Sequence, residues 1–180
     1  RPRLVHRIDS GTSGVLVVAR TKPAAAHLSA QFSGRHARKT YLALVSGQLP
    51  TTDEGACTEA LLKVPSDCGG REKMIPASPG QKGALSAETQ WRILSRGEGA
   101  ALVEARPVTG RMHQIRAHMA ALGCPILGDR IYGSGKLSAD RLMLHAARLD
   151  ITHPDGSSLR LEAPPPQDFV HKAEEAALSI

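Results

Sequence analysis

Apolar and polar positions recur with two different periods along this chain, and the changes of period mark its elements. Gly14-Val15-Leu16-Val17-Val18-Ala19 is a continuous apolar, β-branched run behind a Thr-Ser-Gly turn and predicts a buried strand. Thr21 then stands at an N-cap position, with Pro23 in the first turn of an alanine-rich helix over residues 23–33 and Gly34 at its end. Residues 38–46 alternate loosely and predict a strand closed by Gly47 and Pro50, and residues 57–65 predict another. Residues 66–84 are rich in Gly, Pro, Ser and Lys, which reads as loop with a short hairpin near Met74 and Ile75. Strands at 85–94 and 100–106 are joined by the turn Arg96-Gly97-Glu98-Gly99. Met112, Ile115, Met119 and Leu122 share one face of a helix predicted over 111–122, with Thr109 as its cap and Gly123 as its stop. Strands at 142–151 and 158–162 flank the turn His153-Pro154-Asp155-Gly156, and residues 167–178 predict a terminal helix.

Strands outnumber helices in this pattern, and tight turns join several of them. The fold class that follows is α+β, with a mainly antiparallel mixed sheet and flanking helices. A length of 180 residues suits one domain with a sizeable core, spanning 1–180.

Composition changes the picture in three ways. The formal net charge of +6 and pI near 9.6 favour a polyanionic partner, held by phosphate contacts. Aromatic residues make up 3%, so stacking on a base falls to very few rings, with Tyr41 and Tyr132 the candidates. Cys57, Cys68 and Cys124 are odd in number and form no Cys-x-x-Cys pair, which argues against a disulfide framework or zinc knuckle and for a reducing, cytoplasmic setting. No apolar run approaches the roughly 18 residues of a membrane span, and the amino-terminal Arg-Pro-Arg has no apolar stretch behind it.

Four segments carry candidate chemistry. In His6-Arg7-Ile8-Asp9-Ser10-Gly11-Thr12-Ser13-Gly14 an acid sits in a tight turn just before a strand, either as an ordinary turn former or as a rigidly held reactive group. In the stretch from Thr109 to His118, Arg116 lies at the edge of the apolar stripe and needs an anion if it is buried. Alternatively, Arg111, His113 and Arg116 form a solvated helix flank. Residues 123–133 read as a shaped structural loop. His145 and His153 read as hydrogen-bonding histidines of strand and turn rather than as ligands.

Taken in order, these segments resemble the signature of the RluA-type pseudouridine synthases. Residues 6–14 are similar to that family's His-Arg-Leu-Asp-x-x-Thr-Ser-Gly motif, with Ile8 in place of Leu. Lys39-Thr40-Tyr41-Leu42-Ala43 resembles its Lys-x-Tyr-x-Ala strand, and residues 109–133 resemble its third motif. Leu144-His145-Ala146, Ala163-Pro164 and Asp168-Phe169 resemble its carboxy-terminal segment. The ordered set spans nearly the whole chain and is far more specific than any one piece.

The resemblance implies isomerisation of uridine to pseudouridine in structured RNA, ribosomal RNA before transfer RNA. It implies a sheet divided by a central active-site cleft. Asp9 is then the nucleophile, Arg116 its partner, and Tyr41 the ring that stacks on the target base and takes part in proton removal. Arg7 fills the space left by the flipped base, and His6, Arg111, His113 and Gln114 join it in binding substrate. The reaction involves no redox change, so no cofactor or metal is expected, and the enzyme is read as a monomer away from membranes. The family's catalytic domain carries an earlier strand with a Lys-Pro element, and many members carry an S4 domain before it. The chain starts just before the aspartate motif and contains neither, so it is read as a catalytic domain truncated at its amino terminus.

Two other readings compete. A metal-dependent hydrolase would use some of the eight histidines, but His113 and His118 are five apart and do not stack on one helical face. A non-catalytic RNA-binding domain would keep the fold without the reaction, although every residue expected for catalysis is present.

Overall fold

A computed structural model of the chain describes residues 1–66, 72–78, 80–133, 135 and 137–180. Cys68 and part of the loop expected over 66–84 lie outside the described residues. The element order is β1 (Arg3–Leu4), β2 (Ser13–Gly14), β3 (Val18–Ala19), α1 (Lys22–Ser33), β4 (Arg38–Ser46), β5 (Glu54–Cys57), β6 (Leu61–Pro65), β7 (Glu72–Pro76), β8 (Thr89–Arg96), β9 (Ala100–Pro107), α2 (Gln114–Ala121), β10 (Leu144–Thr152), β11 (Ser158–Glu162) and α3 (Gln167–Glu175). The class is α+β, as the hydrophobic pattern predicts.

One sheet organises the molecule, in the order β11-β10-β4-β9-β8-β5, with every neighbouring pair antiparallel. β2 adds a short parallel pairing to β10. β4 and β9 lie at the centre and are apolar on both faces, because Ala43, Leu44, Val45, Leu102 and Val103 are all buried. Ile115 and Met119 of α2 and Phe169 of α3 join the same core. A second cluster, built from Val5, Leu28, Leu149 and Ile151, holds α1 and the amino-terminal strands against β10. A third, built around Leu61, Met74 and Ala117, fixes the β6–β7 ribbon to α2.

Four sequence expectations are corrected. The run 14–19 is not one buried strand: Leu16 and Val18 stay 45% and 44% exposed. Its ends pair with different partners, β2 with β10 and β3 with β1, and that divergence pulls the middle out of any ladder. Residues 57–65 split likewise, since β5 pairs with β8 in the main sheet while β6 pairs with β7 outside it. Met74 and Ile75 lie within β7. The helix predicted from 111 starts at Gln114, because His113 adopts a left-handed conformation at φ 51 that cannot continue a helix. Thr109 makes no cap; its hydroxyl is bonded to Glu88 and Gln114 instead.

Candidate active site

The loop 6–14 is pinned at both ends and open in the middle. At its start, the His6 ring stacks on Phe32 at 4.3 Å, and its Nε2 accepts the Val17 N–H at 2.9 Å. Burial, with the nearby charge of Lys39, holds the His6 pKa below the usual 6.5, so the ring is neutral. At the end, the Ser13 hydroxyl meets His145 Nδ1 at 2.9 Å, and His145 Nε2 donates to the Ala163 carbonyl at 2.9 Å. His145 thus has the structural role expected of it. Gly14 permits the close approach to β10, since a Cβ there would stand 2.1 Å from the Ala146 carbonyl oxygen. Between these anchors the Thr12 N–H donates to the Asp9 carbonyl at 3.0 Å, and the Asp9 side chain projects into the cleft, 19% exposed.

The segment 109–114 forms a braced loop against β8. The Gln114 amide donates to the Glu88 carbonyl at 2.8 Å and to Thr89 Oγ1 at 3.0 Å. Its Oε1 accepts from Thr109 Oγ1 at 2.5 Å and from the Arg111 N–H at 3.1 Å. The Gln114 amide is therefore saturated by protein partners. Arg111 Nε is bonded to the Ser86 carbonyl at 2.9 Å. His113 meets the Tyr132 hydroxyl at 3.2 Å, while that hydroxyl accepts the Met74 N–H at 2.7 Å. Burial, then the positive charge of Arg116, lowers the His113 pKa below 6.5.

Arg116 is the pivot. It is 6% exposed, which confirms the buried reading of the helix edge. Its main partner, however, is Asp129: Nε reaches Oδ2 at 2.7 Å and Nη2 reaches Oδ1 at 2.8 Å, a bidentate fork. Asp129 Oδ1 also accepts the N–H groups of Ile131 and Tyr132, at 3.0 and 3.1 Å. The Tyr132 ring covers the guanidinium 5.2 Å away, so this ring is committed to Arg116. What remains is Nη1, which stands 3.5 Å from Asp9 Oδ2. Burial alone would lower the Arg116 pKa, but the hydrogen bonds and charge of Asp129, with Asp9 behind them, raise it. The cation is fixed, and one face of it is turned to Asp9.

Asp129 is the residue that sequence reasoning missed. Residues 123–133 read as a structural loop, and an Asp after Gly128 has the look of a turn former. The available signal was the demand for an anion by a buried Arg116 with two aspartates in reach of the motifs.

Tyr41, on β4, lies beside Asp9 in the cleft. Burial and the negative charge of Asp9 push its phenol up to about 12. Two adjoining cavities, of about 520 and 740 Å³, meet at this point. Arg7, Asp9, Met112 and His113 line both; Tyr41 and Lys39 line the first, Arg116 and Asp129 the second. The structure thus brings all eight sequence-predicted site residues to the walls of these two cavities. Arg7 itself is exposed and makes no ion pair among the described residues.

Other histidines play no part here. His118 is fully buried between Thr89 Oγ1 and the Glu59 carbonyl. Among the described residues no group of three or more His, Cys, Asp or Glu side chains is arranged to hold a metal ion. No helix among them is long and apolar enough to cross a membrane.

Comparison with known proteins adds to this geometry. The family model for RNA pseudouridylate synthase matches residues 1–121. The dual-specificity RNA pseudouridine synthase RluA of Yersinia pestis is 45% identical over 158 residues, covering 84% of this chain and 71% of that protein. The ribosomal large subunit pseudouridine synthase D of Zymomonas mobilis is 39% identical over 179 residues, covering 94% of this chain and 54% of that protein. Among solved structures, human RNA pseudouridylate synthase domain containing 4 superposes with a TM-score of 0.83 at 30% identity, over 99% of this chain and 77% of that one.

Proposed function

The chain belongs to the RluA-type RNA pseudouridine synthases, and from that premise we propose that it isomerises uridine in structured RNA with Asp9 as its nucleophile. The observation that carries the assignment is the meeting of Asp9 with the fixed Arg116 cation at the junction of two cavities.

The chemistry follows from that pairing. A carboxylate attacks only when ionised, and the Arg116 Nη1 group, 3.5 Å from Asp9 Oδ2, sets a fixed positive charge beside it. Asp9 bonds to the uridine, at the base or at the ribose carbon, as the N1–C1′ bond breaks. The base turns, C5 bonds to C1′, and the carboxylate is released. The C5 proton then leaves and N1 ends protonated, so atoms and electrons balance without any redox partner. The freed Asp9 carboxylate takes that proton in this reading. Tyr41 is a poorer base, because a phenol at about 12 keeps its proton at neutral pH. Its role is the neutral ring against which the base stacks.

A paired uridine cannot reach Asp9 inside a helix, so the nucleotide is flipped out, and Arg7, exposed and unpaired at both cavities, fills its place. Arg111 and His113 border the substrate, whereas His6 and Gln114 act through the loops they brace. Ribosomal RNA is the first candidate substrate, supported by a relative named for the ribosomal large subunit, and transfer RNA is the second. The reading takes residues 1–180 as one catalytic domain working as a cytoplasmic monomer, in keeping with two buried free thiols at Cys57 and Cys124.

The test is direct. Pseudouridine is mapped in cellular RNA with the gene intact, deleted, and restored as Asp9→Asn. Sites lost on deletion should stay lost with Asp9→Asn, and their return would remove Asp9 from the mechanism.

A further inference from the structure

Charge is distributed unevenly along this chain. Residues 1–39 hold eight of its 23 arginines and lysines but one of its 17 acids, Asp9. The remaining 141 residues hold 15 cations against 16 acids, so the whole positive excess belongs to the amino-terminal lobe. No acid occurs between Asp9 and Asp53.

The cations of the two parts are also used differently. Across the main sheet Arg92 and Arg106 pair with Glu104, Arg96 with Asp53, and Arg160 with Asp150. In the lobe Arg3, Arg20, Lys22, Arg35 and Arg38 are exposed, and none makes an ion pair among the described residues. Asp150, opposite Arg38 in the β4–β10 ladder, is already held by Arg160 and Arg148. Like charges crowded on one lobe repel each other, so this arrangement is stable at a cost unless an anion covers it.

The lobe is continuous with the cleft. Arg35 and Arg38 follow the carboxy-terminal end of α1, whose Phe32 lines the first cavity. Arg20 and Lys22 flank its amino-terminal end, and Arg3 pairs with Ala19 just before them. At 1.5 Å per residue the two ends of this 12-residue helix stand about 18 Å apart. At the inner limit Lys39 is half-buried on the cleft wall without an acidic partner among the described residues, and burial lowers its pKa. It sits against the Gly110 backbone, where an added Cβ would meet Nζ at 3.4 Å. A half-buried ammonium with no counter-charge is an incomplete site, which an anion completes.

We propose that the amino-terminal lobe is the docking surface for the phosphate backbone that flanks the target nucleotide, with Lys39 as its innermost cation at the cleft. The proposal rests on the cleft being an RNA-modifying site. It assigns affinity to one face of the enzyme and chemistry to another, because phosphate contacts position an RNA without reading its sequence.

The experiment measures binding, not turnover, so its outcome is separable from that of the activity. The combined variant Arg3→Gln, Arg20→Gln, Lys22→Gln, Arg35→Gln is compared with a charge-matched control, Arg92→Gln, Arg96→Gln, Arg160→Gln, Lys172→Gln. Each binds a long structured ribosomal RNA transcript and a uridine trinucleotide across a salt series, with thermal melts to verify folding. The lobe variant should lose about 10- to 100-fold in affinity for the long RNA at moderate salt. Its slope of log affinity against log salt should shrink by about 0.7–0.9 for each phosphate that is no longer neutralised. Trinucleotide binding should stay within about twofold of the parent, because the four positions line neither cavity. Lys39→Gln should weaken both RNAs. Equal losses in the control variant, or an unchanged slope in the lobe variant, would overturn the proposal. So would loss of binding to phosphatidylserine vesicles with RNA binding intact, which would make the surface a membrane one. An inactive parent enzyme with a lobe-dependent slope would sink the proposed reaction and leave the docking surface standing.

Discussion

The loop at residues 6–14 and the loop at residues 123–133 each bring one aspartate to Arg116. In the second, Asp129 is completely buried, forks onto the guanidinium through both oxygens, and takes two backbone N–H groups of its own loop. In the first, Asp9 is partly exposed and holds one ion pair at 3.5 Å, with cavity on either side. The same cation therefore serves two ends. A carboxylate whose lone pairs are all taken serves structure, whereas the under-bonded one is the proposed nucleophile. Pre-setting Arg116 with Asp129 also means that, in the proposed reaction, its charge does not have to reorganise.

The comparison is sharpest at the two aspartates themselves. Asp9→Asn should lower turnover by about 10⁴-fold or more while leaving RNA affinity in place. Its melting temperature should barely move, with a stability change below about 1 kcal/mol, because little of the Asp9 side chain is engaged. An Asp9→Asn enzyme that turns over normally would erase the distinction between the loops.

Asp129→Ala should do the reverse in kind. It strands a buried guanidinium and frees two N–H groups, which costs about 3–5 kcal/mol, or roughly 10 °C in Tm. Differential scanning calorimetry beside the Asp9→Asn protein checks this. Equal melting temperatures for the two variants would mean that the fork is not structural.

Tyr41→Phe tests the neutral-ring reading and should have a milder effect. With the phenol at about 12, removing the hydroxyl keeps the stacking surface, and kcat should stay within about tenfold of the parent. The pH–rate profile of the parent should show no limb from tyrosinate below about pH 11. A basic limb that disappears in Tyr41→Phe would return proton transfer to this residue.

The smallest effect concerns pH and stability. His6, His113 and His118 are each held below the usual 6.5, first of all by burial. In the unfolded chain these rings bind protons first. Stability is therefore full above about pH 6.5 and declines as pH falls from there toward the lowered folded-state values. Denaturant titrations at stepped pH should show that direction, and a flat profile would mean that the three rings are less confined than their contacts imply.

Much of the fold was legible because its signals are local. Thr21, Pro23 and Gly34 delimit α1 through their own backbone preferences, and the Thr21 hydroxyl does accept the Ala24 N–H at 3.3 Å. β4, β9 and β11 follow from runs whose pattern matches their burial. Where local signals were equal, the reading failed. Val15 to Ala19 is as apolar as any core strand, and nothing in its composition says that its two ends answer to different partners. Thr109 has the chemistry of a cap, yet Glu88, distant in sequence, claims its hydroxyl.

The site divides in the same way. The residue types alone pointed to an acid, an arginine and a tyrosine as its proposed working parts, because the ordered motifs carry them and a buried guanidinium cannot go without an anion. The tertiary structure decided which anion. Asp129 is 13 positions from Arg116 and Asp9 is 107, and either could neutralise it. The choice was made by the packing of residues 128–132 around the base of α2, which sets two oxygens at bonding distance there and leaves Asp9 with a single approach at 3.5 Å. Charge demand is a property of the chain, but the geometry that ranks two equal charges exists once the chain has folded.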